Sequence, residues 1–128
     1  MNRGLLFIAA IGLSASAYAA DFDGSRMLIC APVEAFDCAP ADICNKDSPR
    51  AMGAPAFMRI DFEKKVIVGP KRSTPILHIE RSAEQVILQG TELGHGWSMV
   101  LNRQNGELSA ALNSSESVFV LFGSCTPL

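Results

Sequence analysis

The stretch Gly96-Trp97-Ser98-Met99-Val100-Leu101-Asn102-Arg103-Gln104-Asn105-Gly106-Glu107-Leu108-Ser109-Ala110-Ala111-Leu112 decides the fold class. Trp97, Met99 and Leu101 alternate with Ser98 and Asn102, the period of two that a half-buried strand requires. Asn102 to Gly106 then supplies turn residues. Gly106 suits a left-handed backbone and Asn105 tolerates one. Leu108, Ala110 and Leu112 resume the apolar alternation against Glu107 and Ser109. Two amphipathic strands around a tight turn are expected, with the Trp97 face against the core. Val100 interrupts the polar face, so partial cover is expected there too.

The pattern extends outward in both directions. Met58, Ile60 and Phe62 alternate with Arg59 and Asp61, and Lys65 to Gly69 forms a second short strand after a turn near Glu63-Lys64. Asp61 and Glu63, beside Lys64 and Lys65, read as a solvated charged hairpin. Gly69-Pro70-Lys71-Arg72 is a short basic loop. Ile76 to Glu80 and Gln85 to Gln89 flank a turn at Ser82-Ala83. Val118 to Gly123 is apolar at successive positions, which predicts a central strand covered on both faces. Met27 to Phe36 is apolar but interrupted by Pro32, which points to an edge strand or a bend. Residues 37 to 56 hold Pro40, Pro49, Gly53 and Pro55 without periodicity and read as an irregular loop with at most one helical turn. Seven or eight short strands joined by tight turns imply one all-β domain over residues 20–128. It should be a small antiparallel meander, barrel-like or strongly curved, with an irregular N-terminal region pinned by disulfides.

Residues 1–19 stand apart. Arg3 precedes the apolar run Leu5 to Leu13, and Ala17-Tyr18-Ala19 fits the small-x-small rule for signal peptidase. The run is far shorter than the roughly 20 residues of a membrane span. A signal peptide is therefore expected, with Ala20 as the first mature residue. No cysteine near the cleavage point is available for lipidation. The mature form is expected to carry no membrane span and to be periplasmic or secreted.

Composition narrows function mainly by exclusion. The chain is 48% hydrophobic and 19% charged, a folding composition. Its formal charge of −2 argues against a polybasic nucleic-acid binder. Tyr18 is the one tyrosine and Trp97 the one tryptophan, and this scarcity weighs against sugar- and peptide-binding surfaces.

Cys30, Cys38, Cys44 and Cys125 all follow the signal, and export favours their pairing. Three connectivities are open. Cys38–Cys44 with Cys30–Cys125 is preferred, because Ala39-Pro40-Ala41 can turn the chain back, while Cys30 and Cys125 open and close the fold. The spacings lack the short pairs of a zinc site and the C-x-x-C of a redox site. His78 and His95 lie far from the cysteines in sequence.

Catalytic motifs are missing. There is no G-x-S-x-G elbow, no phosphate-binding loop and no nucleotide fingerprint. His95, between Gly94 and Gly96, reads as part of a turn entering the Trp97 strand, and His78 as a residue on the polar side of its strand. His95 and Trp97 are the weak ligand-site candidates. No catalytic, cofactor-binding or metal-ligating residue is assigned, and no cofactor is expected.

Leu28-Ile29-Cys30-Ala31-Pro32-Val33-Glu34, Phe57-Met58-Arg59-Ile60-Asp61-Phe62, Gly96-Trp97-Ser98 and Phe122-Gly123-Ser124-Cys125-Thr126-Pro127 together resemble a group of small exported bacterial proteins of unassigned function. The resemblance spans roughly Asp23 to Leu128. It implies a bacterial cell envelope and supplies no catalytic residues. The reading that follows is a non-catalytic binding or interaction module whose partner is an unspecified protein or small ligand. The alternatives are a small periplasmic hydrolase using His95 and nearby acids, and a β-barrel carrier of an apolar ligand. N-terminal sequencing of the exported protein should begin at Ala20; a membrane-bound form retaining residues 1–19 contradicts the export reading.

Overall fold

The computed structural model describes residues 21–128. The expected signal peptide and the Ala20 start lie outside the described residues. Ten strands follow one another: β1 (Leu28–Cys38), β2 (Asn45–Asp47), β3 (Met58–Asp61), β4 (Val66–Val68), β5 (Ser73–Pro75), β6 (His78–Arg81), β7 (Gln85–Glu92), β8 (His95–Asn102), β9 (Glu107–Asn113) and β10 (Val118–Pro127). Among the described residues there is no helix. The strands form one antiparallel sheet in the order β5-β4-β3-β1-β10-β9-β8-β7-β6, with β2 also paired to β1.

The two ends of this order are continuous in the chain. Only Ile76 and Leu77 separate β5 from β6. The Ile76 N–H donates to the Lys65 carbonyl and the Leu77 N–H to the Gln89 carbonyl, each at 2.9 Å. One short segment thus serves both margins of the sheet and curls it into a half-barrel. The tight turns agree with their sequences. Leu93 and Gly94 both have positive φ, 47° and 81°, the requirement of a two-residue type I′ turn between β7 and β8.

The inner face is the apolar face expected from period two. Trp97, Met99 and Leu101 stand in register with Leu112, Ala110 and Leu108 of β9, and with Gly90, Leu88 and Val86 of β7. Leu28, Ile60, Val86, Leu88 and Leu101 are completely buried, and Met58, Phe62, Ile67, Ile76, Trp97, Met99, Leu108 and Ala110 join them in one cluster. Burying each large aliphatic side chain contributes about 1.5–3 kcal/mol. Cys30 and Cys125 are direct cross-strand neighbours in this cluster, with Cα atoms 4.0 Å apart, and form a disulfide. Its 95-residue separation removes about 4.7 kcal/mol of unfolded-chain entropy on the loop-closure model. The second disulfide is Cys38–Cys44.

Four expectations change. Pro32 lies inside a strand paired on both sides: β10 follows β1 throughout, while β3 pairs Leu28–Cys30 and β2 pairs Ala35–Asp37. Pro32 falls in the gap between those two short partners and at a bulge, where a missing N–H is tolerated. The region 37–56 is less irregular than expected, because Cys38–Cys44 closes a hairpin that brings β2 back onto β1. Asp61 is not solvated: it is 8% exposed, and its Oδ1 accepts the Lys64 N–H at 2.9 Å, while Glu63 remains exposed. It shapes the turn in which Lys65 takes φ 52°. Lastly, β10 is central but covered on one face only, with Val118 and Phe122 exposed outward.

Before β1, hydrogen bonds from the Ser25 side chain and backbone hold the Asp23 carboxyl below the usual carboxylate range. That contribution to folding is present above the ordinary carboxylate pKa and is lost as the pH falls through the lowered value.

Gly90 decides how the sheet can close. A Cβ at this position would stand 2.6 Å from Trp97 Cζ2 and 2.9 Å from the Pro75 carbonyl oxygen. The indole therefore lies across the glycine, at the seam between β7 and β5. Gly90→Ala should destabilise the fold by about 1–3 kcal/mol through overpacking. Trp97→Ala should cost about 3–5 kcal/mol. In urea denaturation the Gly90→Ala penalty should shrink when Trp97 is already alanine, since the two changes share one contact. Additive effects would contradict this packing.

Candidate ligand groove

The outer face of the sheet is built by the same alternation. Register places Glu34, Phe122, Ser109, Val100 and Ile87 in one row across β1, β10, β9, β8 and β7, and Ser124, Glu107, Asn102 and Gln85 beside it. A groove of about 690 Å³ follows this face, lined by these residues except Ile87, together with Val33, Glu84, Leu108 and Gly123. Its volume falls within the roughly 300–1,000 Å³ typical of ligand sites.

The bulge in β1 shapes one end. Val33 is the extra residue between Pro32 and Glu34, and it stands 65% exposed. Directly opposite is Gly123, where a Cβ would collide with the Ala31 carbonyl and the Pro32 backbone. The glycine lets β10 remain paired where β1 bends, and Phe122, 44% exposed, turns outward next to it. Val100 forms the central part of the floor and is half-buried. Val33, Val100 and Phe122 thus make an apolar surface on a face where strand alternation would otherwise place polar groups.

The rim is acidic. Glu34, Glu84 and Glu107 line the groove, and no lysine or arginine does so among the described residues. Glu34 is ion-paired with Lys46, whose ammonium lies over the Phe36 ring, 5.6 Å from its centroid. Phe36 meets Phe122 edge-to-face at 6.2 Å, the arrangement favoured by ring quadrupoles. Glu84 Oε2 accepts the Ser82 hydroxyl at 3.1 Å. The Arg103 backbone N–H donates to the Glu84 carbonyl at 2.9 Å, and its guanidinium donates to the Ser82 carbonyl. Neither Glu84 nor Glu107 has a cationic partner within ion-pair distance among the described residues.

The candidates His95 and Trp97 lie elsewhere. Both face inward on β8. Trp97 is 8% exposed within the core, and its indole N–H meets no acceptor among the described residues, so packing is what the ring contributes. His95 is half-buried at the start of β8, with Nδ1 3.2 Å from the Leu93 carbonyl and its ring against Phe119. Its register partner Glu92 is ion-paired to Arg72 at 2.7 Å. His78 is exposed. Among the described residues no group of three or more His, Cys, Asp or Glu side chains is arranged to hold a metal ion.

No motif in the sequence singles out the groove residues. Their signal was present in Val100, which breaks a polar face, and in the two-sided apolar run Val118–Gly123. Val100 is half-buried, in keeping with the partial cover expected of it, whereas Val118 and Phe122 on β10 are exposed. A surface role for Phe122 predicts that Phe122→Ala changes stability by about 1 kcal/mol or less. Leu101→Ala should cost about 2–5 kcal/mol. Equal losses in urea denaturation would make Phe122 a core residue. The chain matches no family model, no curated protein and no solved structure among those compared.

Proposed function

We propose that this chain is an exported, non-catalytic binding module of the bacterial cell envelope that engages its partner through the outer groove. The observation that carries the proposal is the apolar floor of exposed Val33 and Phe122 and half-buried Val100 inside a groove of ligand-site size. Two disulfides, with no free cysteine among the described residues, fit an oxidising compartment. The signal-like residues 1–19 and the resemblance of four segments to small exported bacterial proteins support the envelope assignment. A rigid sheet presents the groove residues without requiring order to be created on binding, which favours recognition.

The hydrolase alternative needs a base or acid working with His95. In the structure His95 meets a backbone carbonyl, and the neighbouring Glu92 is engaged by Arg72. A photo-reactive phenylalanine in place of Phe122 should give partner-dependent crosslinks in the native envelope. The same group in place of the exposed Glu63, at the β3–β4 turn, should give few. Equal crosslinking from both positions would overturn the groove as the binding surface.

A further inference from the structure

We infer that the occupant of the groove is an extended, lysine- or arginine-bearing peptide segment, with its apolar side chain on the Phe122 floor and its cations at the carboxylate rim. The inference rests on the proposed binding role and specifies the chemistry of the partner.

The apolar floor supplies the contact area, and the charge pattern selects what covers it. Glu84 and Glu107 stand at the rim without cationic partners among the described residues. The molecule already contains one example of the recognition proposed. Lys46 sits over Phe36 and pairs with Glu34 at the β1 end of the same face. Phe122, edge-on to Phe36, offers a second aromatic surface. Glu107 is its diagonal neighbour, because Phe122 pairs with Ser109 and Ser124 with Glu107. Side chains in that relation are about 7–8 Å apart, so a peptide lysine beside the apolar side chain that covers the ring is within reach of Glu107.

The dimensions favour a peptide over a point cation. The groove crosses five adjacent strands, from β1 to β7. At about 4.8 Å per strand interval this is roughly 19 Å, the length of five or six extended residues. In such a segment residues one, three and five face the same side, so an apolar side chain on the floor can be followed by a cation at Glu84, while the other end reaches Glu34, which it would share with Lys46. Ser109, Ser124, Asn102 and Gln85 present hydrogen-bonding side chains to the peptide backbone between them.

The test uses acetyl-Lys-Ala-Phe-Ala-Lys-amide and its Gln-Ala-Phe-Ala-Gln counterpart, titrated into the exported protein and followed by amide shifts in nitrogen-15 spectra. The lysine peptide should bind saturably, with shifts concentrated at Ser109, Phe122 and Ser124. The glutamine peptide should bind about tenfold more weakly, and Glu84→Gln with Glu107→Gln should weaken the lysine peptide by about the same factor. Phe122→Ala should weaken both peptides. Both glutamates are exposed, so their replacement leaves the fold intact. Equal affinity for the two peptides, still lost in Phe122→Ala, would overturn the cationic specificity while leaving the groove as the binding surface. Binding of neither peptide, or binding indifferent to Phe122→Ala, would overturn the inference outright. Binding of n-butylamine as tightly as the lysine peptide would overturn the peptide assignment.

Discussion

The antiparallel pairing of β1 with β10 is the constraint on which the rest of the molecule depends. It joins residues near the two ends of the described chain, Leu28 with Pro127 and Cys38 with Val118, and every other strand is attached to one member of the pair or to its neighbours. β3, β4 and β5 extend from β1, while β9, β8, β7 and β6 extend from β10. Such a pairing carries a large loop-closure cost, because its partners are separated by most of the chain. The Cys30–Cys125 disulfide offsets that cost by holding two directly opposed positions together within the core. The indole of Trp97 over Gly90 serves the other seam, where β7 meets β5. The half-barrel is thus held by one covalent link at the middle of the strand order and one close-packed contact near its margins.

One end of the groove is a consequence of how that pairing accommodates a proline. Pro32 cannot donate to a ladder, and the sheet meets this with a bulge, a gap between β3 and β2, and a glycine opposite. The extra residue, Val33, is displaced onto the outer surface, and Phe122 stands next to it. This local exception to regular pairing adds Val33 to the apolar residues Phe122 and Val100 that ordinary alternation already places on the outer face. Because the surrounding strands are fully paired, the surface is displayed by a stiff support. The acidic side chains around it come from three separate parts of the chain, β1, the β6–β7 turn and β9.

Much of the fold was legible because period two is a local signal. Trp97, Met99, Leu101, Leu108 and Ala110 occupy the core face that alternation assigns them. The Gly106 turn was readable for the same reason, its φ of 74° being a property of one residue. The preferred disulfide pairing agrees with the structure, since Cys38–Cys44 is a short turn and the remaining pair must then be long-range. Three-residue strands such as β2 and β5 left no comparable trace, because their pairing is imposed by neighbours rather than by their own pattern.

By itself, then, the sequence determined an all-β chain, its turns and its inward-facing residues. Only the tertiary structure decided which apolar residues face out. Val118, Phe122 and Val100 carry the same hydrophobicity as core residues, and period two cannot say whether a second layer covers their face. That depends on what stands opposite, and for the outer face of β10 no described element does. Tertiary structure also decided that Asp61 is buried at a turn, that His95 and Trp97 face away from the groove, and that Glu34, Glu84 and Glu107 share its rim. Those residues are distant in sequence and become neighbours only through strand register, which no local pattern encodes.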